Sequence, residues 1–314
     1  MEKGVYKSIK TMSNKKYFDT LNNGKGFDHW SPSSSSMPLA KFNMNYGHHD
    51  GVERSMFPMQ YKPRFGNLVN NTAQRMECET LYWKDKTIKL TNRNYDEVFG
   101  KELDDINKYD PVDDKDAYAR ENMLEYAHKT IEQTRKVVKK LCGKNKITSE
   151  RYVMNKPKQL LHDIIGRIDY ETNKLFIELK TKPPAIAKKK GRDEYYFKKS
   201  EPLGDDSVFD DYWKQVAFYW KCTGKKPFLV LVNDKEYLIY DDTHAALYDD
   251  HLEYQYNMMV KRIYNWEQMI IYCKGDLQKL ADISEPPDLN HYYHYKYLTD
   301  KQRKTIKQLW GLEA

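Results

Sequence analysis

Acidic and basic side chains stand inside two alternating apolar runs in the stretch DIIGRIDYETNKLFIELK, residues 163–180. The alternation predicts two strands joined by a short polar turn, which is a hairpin. Side chains two residues apart on a strand share a face, so Glu178 and Lys180 project together. Asp169 ends the first run, and the hairpin brings it toward Glu178. The sequence therefore predicts one site with two carboxylates and an ammonium group.

This combination of groups suits metal-dependent chemistry on a phosphate. Two carboxylates at one place repel each other and are costly to remove from water, and a divalent cation resolves that conflict. Mg²⁺ or Mn²⁺ takes oxygen ligands, so we expect Asp169, Glu178 and the main-chain carbonyl of Leu179 as metal ligands. Lys180 would orient the attacking water and offset phosphate charge, as hydrolysis of a phosphodiester requires. The alternative is an ordinary surface salt bridge between Glu178 and its neighbours.

The elements that must position these groups follow from apolar spacing and turn residues. The longest stripe ends at Gly143, which suits a helix C-terminal cap. We predict helices at 65–82, 116–142, 207–222, 243–273 and 300–310, strands at 163–170, 175–180, 227–232 and 236–240, and loops at 101–116 and 182–206. The order of helix, strands, helix, strands and helix predicts one α/β domain.

Composition bounds the class of protein. The chain has 314 residues and a net charge of +7, which permits a polyanionic partner without demanding one. Four separated cysteines without a CxxC pair argue against a zinc knuckle or a disulfide framework. The sequence has neither an apolar run near the ~18 residues of a membrane span nor a signal peptide. We expect no membrane partner and a cytoplasmic protein, in the host cytoplasm if the chain is phage-encoded.

Three ranges differ in character along the chain. Residues 1–50 are rich in Ser, Asn, Gly and Lys and predict an irregular N-terminal extension. Residues 51–284 predict the central domain, and residues 285–314 predict a C-terminal tail with a short helix.

A basic segment directly follows Lys180. It mixes aromatic residues with seven cationic ones: Lys182, Lys188, Lys189, Lys190, Arg192, Lys198 and Lys199. Cationic side chains neutralise phosphates and aromatic rings stack on bases, so the segment suits a DNA single strand passing the site. The alternative is a solvated loop with a chance run of charge.

The order of the central motifs resembles the core of the PD-(D/E)XK nucleases. Gly166 and Asp169 match the G-x-x-D end of one strand in that family. The residues Glu178-Leu179-Lys180, followed by Thr, match the (D/E)-x-K motif of the next strand. The resemblance implies a restriction-endonuclease-like fold, with a mixed central β-sheet flanked by helices and with N- and C-terminal extensions, so that 51–284 would be the nuclease domain.

A helix element narrows the resemblance to RecB-type exonuclease modules, a group that includes the mitochondrial genome maintenance exonuclease and phage relatives. Gln215 and Tyr219 match its Q-x-x-x-Y element, and residues four apart share a helix face. The resemblance implies that both residues place the DNA strand. It extends over about residues 30–240, because WSPSS at 30–34 is similar to the S-x-S-S element of the same group.

One element departs from the family pattern. The family has G-x-x-x-H-x-x-x-E on its first helix, whereas this chain has Gly66, Asn70 and Gln74 at that spacing. The two amides cannot replace strong metal ligands, but they can orient a phosphate or water, so we assign them to DNA binding. The candidates for the missing helix carboxylate are Glu77, Glu79 and Glu125. His162 is another polar candidate for the site, and the simpler expectation is that it packs or caps locally.

The resemblance implies a Mg²⁺- or Mn²⁺-dependent deoxyribonuclease. We expect an exonuclease acting on free, single-stranded DNA ends in replication, recombination or repair, leaving a 5′-phosphate and a 3′-hydroxyl. The rival is a catalytically weak DNA-binding module of a recombination or packaging complex, which the missing His and Glu favour. An endonuclease is a third possibility.

Overall fold

A computed structural model describes residues 14–19, 21, 27–33, 61–83, 86–108, 110–111, 113–205, 210–289 and 300–312. Two compact units make up the chain, and each combines separated stretches of sequence. The larger unit contains 59–154 and 166–256. The smaller unit contains 1–58, 155–165 and 257–314. The predicted division into 1–50, 51–284 and 285–314 stays a prediction.

The fold is α/β, with a mixed central sheet flanked by helices, as the sequence predicted. The helices in chain order are α1 (Tyr61–Glu77), α2 (Tyr95–Asn107), α3 (Asp114–Asn122), α4 (Leu124–Cys142), α5 (Asp210–Thr223), α6 (Asp249–Tyr272), α7 (Leu277–Ile283) and α8 (Asp300–Leu309). Short 3₁₀ turns cover Lys15–Phe18 and Ala245–Leu247. Within the described ranges, none of the helices has both the length and the apolar character to cross a membrane.

The strands are β1 (His29–Trp30), β2 (Thr80–Trp83), β3 (Lys86–Lys89), β4 (Thr148–Asn155), β5 (Asp163–Glu171), β6 (Leu175–Thr181), β7 (Ile186–Lys188), β8 (Tyr195–Phe197), β9 (Lys226–Val232) and β10 (Tyr237–Tyr240). The main sheet has the order β10-β9-β6-β5-β4-β2-β3, and β1 pairs with β5. Strands β5 and β6 are antiparallel, whereas β6 and β9 are parallel. The parallel pair needs a crossover, which α5 supplies.

Helix α4 and one face of the sheet form a hydrophobic core in the larger unit. Val137 and Val138 of α4 pack in one cluster with Ile177, Leu179 and Val230 of the central strands. The helix ends at Gly143, whose φ of 58° is the left-handed conformation that glycine adopts readily. The predicted apolar stripe and its glycine cap are therefore confirmed.

A buried carboxylate organises the smaller unit. Glu267 of α6 accepts hydrogen bonds from Trp30 Nε1 (3.0 Å), the main-chain N–H of Leu161 (2.7 Å), and both the main-chain N–H (3.1 Å) and Nδ1 (3.0 Å) of His162. Phe18 packs on the His162 ring, with centroids 4.4 Å apart. His162 thus packs locally, which was the simpler of its two predicted roles.

Two predicted helix boundaries were wrong. The helix predicted at 65–82 begins at Tyr61 and ends at Glu77. The residues Thr-Leu-Tyr-Trp of β2 follow it, because β-branched and aromatic side chains favour a strand that pairs with β4. The helix predicted at 116–142 is divided by Met123, which separates α3 from α4 and keeps helical dihedral angles.

The loop predicted at 101–116 was also wrong. Asn94 caps α2, since its side chain accepts from the N–H groups of Asp96 and Glu97, and Asp113 caps α3 in the same way. Val98, Phe99 and Ile106 then give α2 an apolar face that is buried. Several acidic residues therefore lie in the first turns of helices, whereas Glu102 and Asp116 are buried and pair with Arg75 and Arg64.

The basic segment at 182–206 is partly ordered as a hairpin, where the sequence predicted a loop. Strands β7 and β8 pair from Ile186 with Phe197 to Lys188 with Tyr195. The Phe197 ring lies 4.7 Å from Tyr126 and 5.6 Å from Tyr118, centroid to centroid, so it packs on the helices. The segment therefore forms a hairpin that Phe197 anchors to the helices, whereas Tyr196 is exposed.

Candidate functional site

The β5–β6 hairpin has the register that the site requires. Tyr170 pairs with Ile177, so Asp169 and Glu178 follow one residue further along each strand. The main-chain N–H of Leu179 donates to Asp169 Oδ2 at 2.8 Å, which ties the two strands at this point. The predicted hairpin is confirmed, and it brings both carboxylates to the same face of the sheet.

Lys180 lies against Glu178, as the spacing predicted. Its Nζ is 2.6 Å from Glu178 Oε1, and the two side chains are 21% and 2% exposed. The same ammonium group donates to Gln215 Oε1 at 2.8 Å. The pair is therefore buried, and the surface salt bridge that was the alternative interpretation does not describe it.

Helix α5 holds this ammonium group through a chain of hydrogen bonds. Gln215 Nε2 donates to the Tyr219 hydroxyl at 2.9 Å, and that hydroxyl donates to the carbonyl of Arg167 at 2.6 Å. Gln215 and Tyr219 thus share the helix face that was predicted to meet the site. Tyr219 is 1% exposed and reaches the site through Gln215, and the predicted role of both residues in placing a DNA strand stays a prediction.

Helix α1 supplies the two amides of the divergent motif. Asn70 Nδ2 donates to Asp169 Oδ1 at 3.2 Å, while its Oδ1 accepts from the Tyr170 hydroxyl at 2.9 Å. Gln74 Nε2 donates to the carbonyl of Asp169 at 3.2 Å. Both amides orient Asp169, and their predicted contact with DNA stays a prediction.

Glycine at position 66 lets α1 approach the sheet. A Cβ atom there would lie 3.0 Å from Thr181 Oγ1 at the end of β6, which is tighter than ordinary contact. Gly66 and Thr181 belong to the two motifs that carry the resemblance. Their contact gives a physical reason for a small residue one turn before Asn70.

Glu150 of β4 is a third carboxylate that sequence reasoning missed. It accepts from Gln74 Nε2 at 2.9 Å, and its other oxygen lies 3.2 Å from Arg167 Nη1. Its φ is 56°, a left-handed conformation that is strained for a residue with a side chain. The run TSERYVMN around it offered no signal beyond a charged pair inside a strand.

Burial and mutual repulsion govern the protonation of the site. Burial, with the charges of Glu178 and Glu150, raises the pKa of Asp169 well above its usual range. Burial also raises the pKa of Glu178, although Lys180 opposes the shift. Burial alone would lower the pKa of Lys180, but the two carboxylates outweigh it and raise that pKa. Two carboxyl groups around one ammonium group leave one negative charge uncompensated when both are ionised.

A divalent cation fits that uncompensated charge. Glu178 Oε2 is buried and accepts no hydrogen bond from the described residues, which leaves a ligand position on an anionic oxygen. Among those residues, no group of three or more His, Cys, Asp or Glu side chains is arranged to hold a metal. The carboxylates that a cation would meet here are therefore Asp169 and Glu178, and the predicted ligand set with the Leu179 carbonyl stays a prediction.

Lys182 and Tyr212 extend the site on its open side. The ammonium groups of Lys180 and Lys182 lie 4.8 and 5.0 Å from the centre of the Tyr212 ring. Burial, with the charges of Lys180 and Lys62, lowers the pKa of Lys182 to about 8. Tyr212 precedes Gln215 by one helical turn, a spacing that could have identified it from the sequence.

The other candidates for the missing helix carboxylate lie elsewhere. Glu77 forms ion pairs with Arg135 (2.5 Å) and Lys139 (3.4 Å). Glu125 pairs with Lys129 at 2.6 Å on the exposed face of α4, and Glu79 is exposed. The carboxylate whose charge acts on both Asp169 and Glu178 is instead Glu150.

Part of the proposed S-x-S-S element lies outside the described residues. Ser31 and Ser33 have their hydroxyl oxygens 3.2 Å apart, whereas position 34 is not described. The sequence HYYHYKY at 291–297, for which base stacking or packing on the domain are the two predicted roles, lies outside the described residues as well.

No protein-family model, curated protein or solved structure matches the chain.

Proposed function

We propose that the chain is a Mg²⁺- or Mn²⁺-dependent deoxyribonuclease of the PD-(D/E)XK type, with a RecB-like exonuclease core. The observation that carries the proposal is the buried cluster of Asp169, Glu178 and Lys180, with the unbonded Glu178 Oε2. A structural salt bridge needs one carboxylate for one ammonium group. A second buried carboxylate is costly without further positive charge, and a divalent metal ion would supply that charge.

Asp169, Glu178 and the Leu179 carbonyl would hold the ion, which supplies Lewis-acid polarisation of the scissile phosphate and acidification of the attacking water. The amides of Asn70 and Gln74 hold Asp169 in place. The ammonium group of Lys180 neutralises charge that develops on the phosphoryl oxygens, and Gln215 fixes its position. Water oxygen bonds to phosphorus as the bond to the 3′-oxygen breaks, which gives a 5′-phosphate and a 3′-hydroxyl.

Lys182 would bind a DNA phosphate beside the reacting one. Its ammonium group lies 3.3 Å from the Tyr212 hydroxyl, and the basic segment continues beyond it. Lys188 and Lys189 of that segment form ion pairs with Asp193 and Glu194, so those two charges are partly used within the hairpin. We propose single-stranded DNA ends as the substrate, because the segment lies directly after the reactive strand.

The test is digestion of labelled linear and circular single-stranded DNA with Mg²⁺, Mn²⁺ or EDTA. We expect metal-dependent shortening of the linear strand only, and loss of about 10²-fold or more in rate for Lys180→Ala. Lys129→Ala removes an exposed lysine of α4 and should keep the wild-type rate. Cutting of the circular strand, which has no free end, would refute the exonuclease and identify an endonuclease.

A DNA-binding module without catalysis is the second candidate. It is favoured by the two amides that stand where the related helix has His and Glu, and by the missing third ligand among the described residues. Wild-type protein that retards DNA and shortens it with neither metal would establish the module and refute the nuclease.

A further inference from the structure

A second polar site lies at the turn end of the β5–β6 hairpin. It is a cavity of about 590 Å³ in the larger unit, large enough for a nucleotide. Four cationic side chains and one carboxylate contribute to its lining: Lys144, Lys146, Arg151, Lys225 and Glu171. Three positive charges are therefore in excess, which favours an anionic ligand.

The cations on the cavity floor are held in fixed positions. Buried Glu171 accepts from Arg151 Nη2 at 2.6 Å and from Lys225 Nζ at 2.7 Å. Lys225 also donates to the carbonyl of Thr172 at 2.5 Å. One carboxylate thus holds two cationic side chains in place but neutralises only one of their two positive charges. A side chain that is already held loses less entropy when it binds a phosphate.

The rim supplies the remaining charge. Lys144 and Lys146 are exposed, and the partner nearest to Lys146 is Glu79 at 3.9 Å. Tyr82 adds an aromatic ring to the lining, the group on which a nucleic-acid base stacks. Two cations held by Glu171, two exposed cations and an aromatic ring are the groups that bind a phosphate attached to a base.

The strand geometry connects this cavity with the carboxylate site. Asp169 and Glu171 share a face of β5 and are separated by about 7 Å along the strand. On β4, the left-handed φ of Glu150 allows two successive side chains to meet that face of β5, since Glu150 contacts Arg167 and Arg151 contacts Glu171. The left-handed backbone at Glu150 therefore places Glu150 beside the carboxylate site and Arg151 in the lining of the cavity.

We propose that this cavity binds the phosphate of a nucleotide, with its base against Tyr82. The ligand chemistry is a 5′-phosphate, which a free nucleotide or the end of a DNA strand can supply. Binding does not require the carboxylate site, so the inference does not rest on nuclease activity.

Calorimetric titration in EDTA tests the proposal with thymidine 5′-monophosphate, thymidine, and a 5′-phosphorylated hexathymidylate. We expect one phosphorylated ligand per chain, and at least tenfold weaker binding of thymidine. Saturation by the mononucleotide identifies free nucleotide as a ligand, whereas saturation by the hexamer alone identifies a strand end.

Two double variants locate the binding. Lys144→Ala with Lys146→Ala should weaken binding of thymidine 5′-monophosphate at least tenfold. Tyr82→Leu should remove the advantage of that nucleotide over inorganic phosphate, which is titrated as a fourth ligand. Lys129→Ala with Lys136→Ala removes the same charge from exposed ion pairs on α4 and should change affinity less than twofold. Equal weakening in both double variants, or no saturable binding, would overturn the proposal.

Discussion

Replacement of Lys180 by methionine isolates the electrostatics of the carboxylate site. The change keeps an unbranched side chain and removes the ammonium group that lies 2.6 Å from Glu178 Oε1. With an effective dielectric constant of about 20, that separation corresponds to an attraction of about 6 kcal/mol. Removal of Lys180 also removes its own desolvation cost, so the measured loss is smaller. Breaking a buried pair costs about 3–5 kcal/mol, and we expect about 3 kcal/mol at pH 8.

The loss should shrink in acid because the carboxyl groups can take up protons. Asp169 and Glu178 have raised pKa values in the fold, and Lys180 lowers both, so its removal raises them further. A carboxyl group with a raised folded pKa adds stability as the pH falls through that pKa. The free energy of unfolding of Lys180→Met should therefore approach the wild-type value as the pH falls toward the ordinary carboxyl range.

Urea denaturation in EDTA at pH 8 and pH 5 measures this difference, with Lys129→Met, which removes an exposed ammonium group of α4, as the control of nearly unchanged stability. A divalent cation can replace the missing positive charge, so saturating Mg²⁺ should stabilise Lys180→Met by about 2.7 kcal/mol at 100 times its Kd. Adding Glu178→Gln should abolish that gain. A loss below about 1 kcal/mol at pH 8, unchanged at pH 5, would refute a coupled buried cluster.

Three further outcomes follow from single contacts. DNA binding should weaken between pH 7 and pH 9, because Lys182 loses its charge above a pKa of about 8, and fluorescence anisotropy of Lys182→Met should lack this dependence. Gly100→Ala should raise the free energy of unfolding by about 0.5–1 kcal/mol, whereas Gly66→Ala should gain less or lose stability, because only Gly66 has Thr181 Oγ1 3.0 Å from an added Cβ. Glu267→Gln should lower the melting temperature and cost about 2–3 kcal/mol, because the amide NH2 replaces one acceptor oxygen and faces a donor, so the hydrogen bonds from Trp30, Leu161 and His162 cannot all be kept, and an unchanged melting temperature would contradict this.

The parts of the site that could be predicted are those with short sequence separation. Asp169 and Leu179 meet across a hairpin ten residues apart, and apolar alternation with a polar turn indicates such a hairpin directly. Gln215 and Tyr219 share a helix face because of the helical repeat alone. Local periodicity therefore predicted strand β6 and the helix beside it. Strands β2 and β3 escaped because each has only four residues, and β4 escaped because its residues, with Glu150 in a left-handed conformation, lack clear alternation.

The remainder depends on contacts between distant stretches of chain. Asn70 meets Asp169 across 99 residues and Gln74 meets Glu150 across 76, and neither distance leaves a local pattern. Glu150 also adopts a left-handed φ in a strand, which its residue type disfavours, so propensity predicts against it. Strain of that kind persists where surrounding contacts hold it, here the bonds to Gln74 and Arg167. The charge of Glu150 thus acts on Asp169 and Glu178 from a neighbouring strand, and the left-handed backbone at Glu150 directs the side chain toward them.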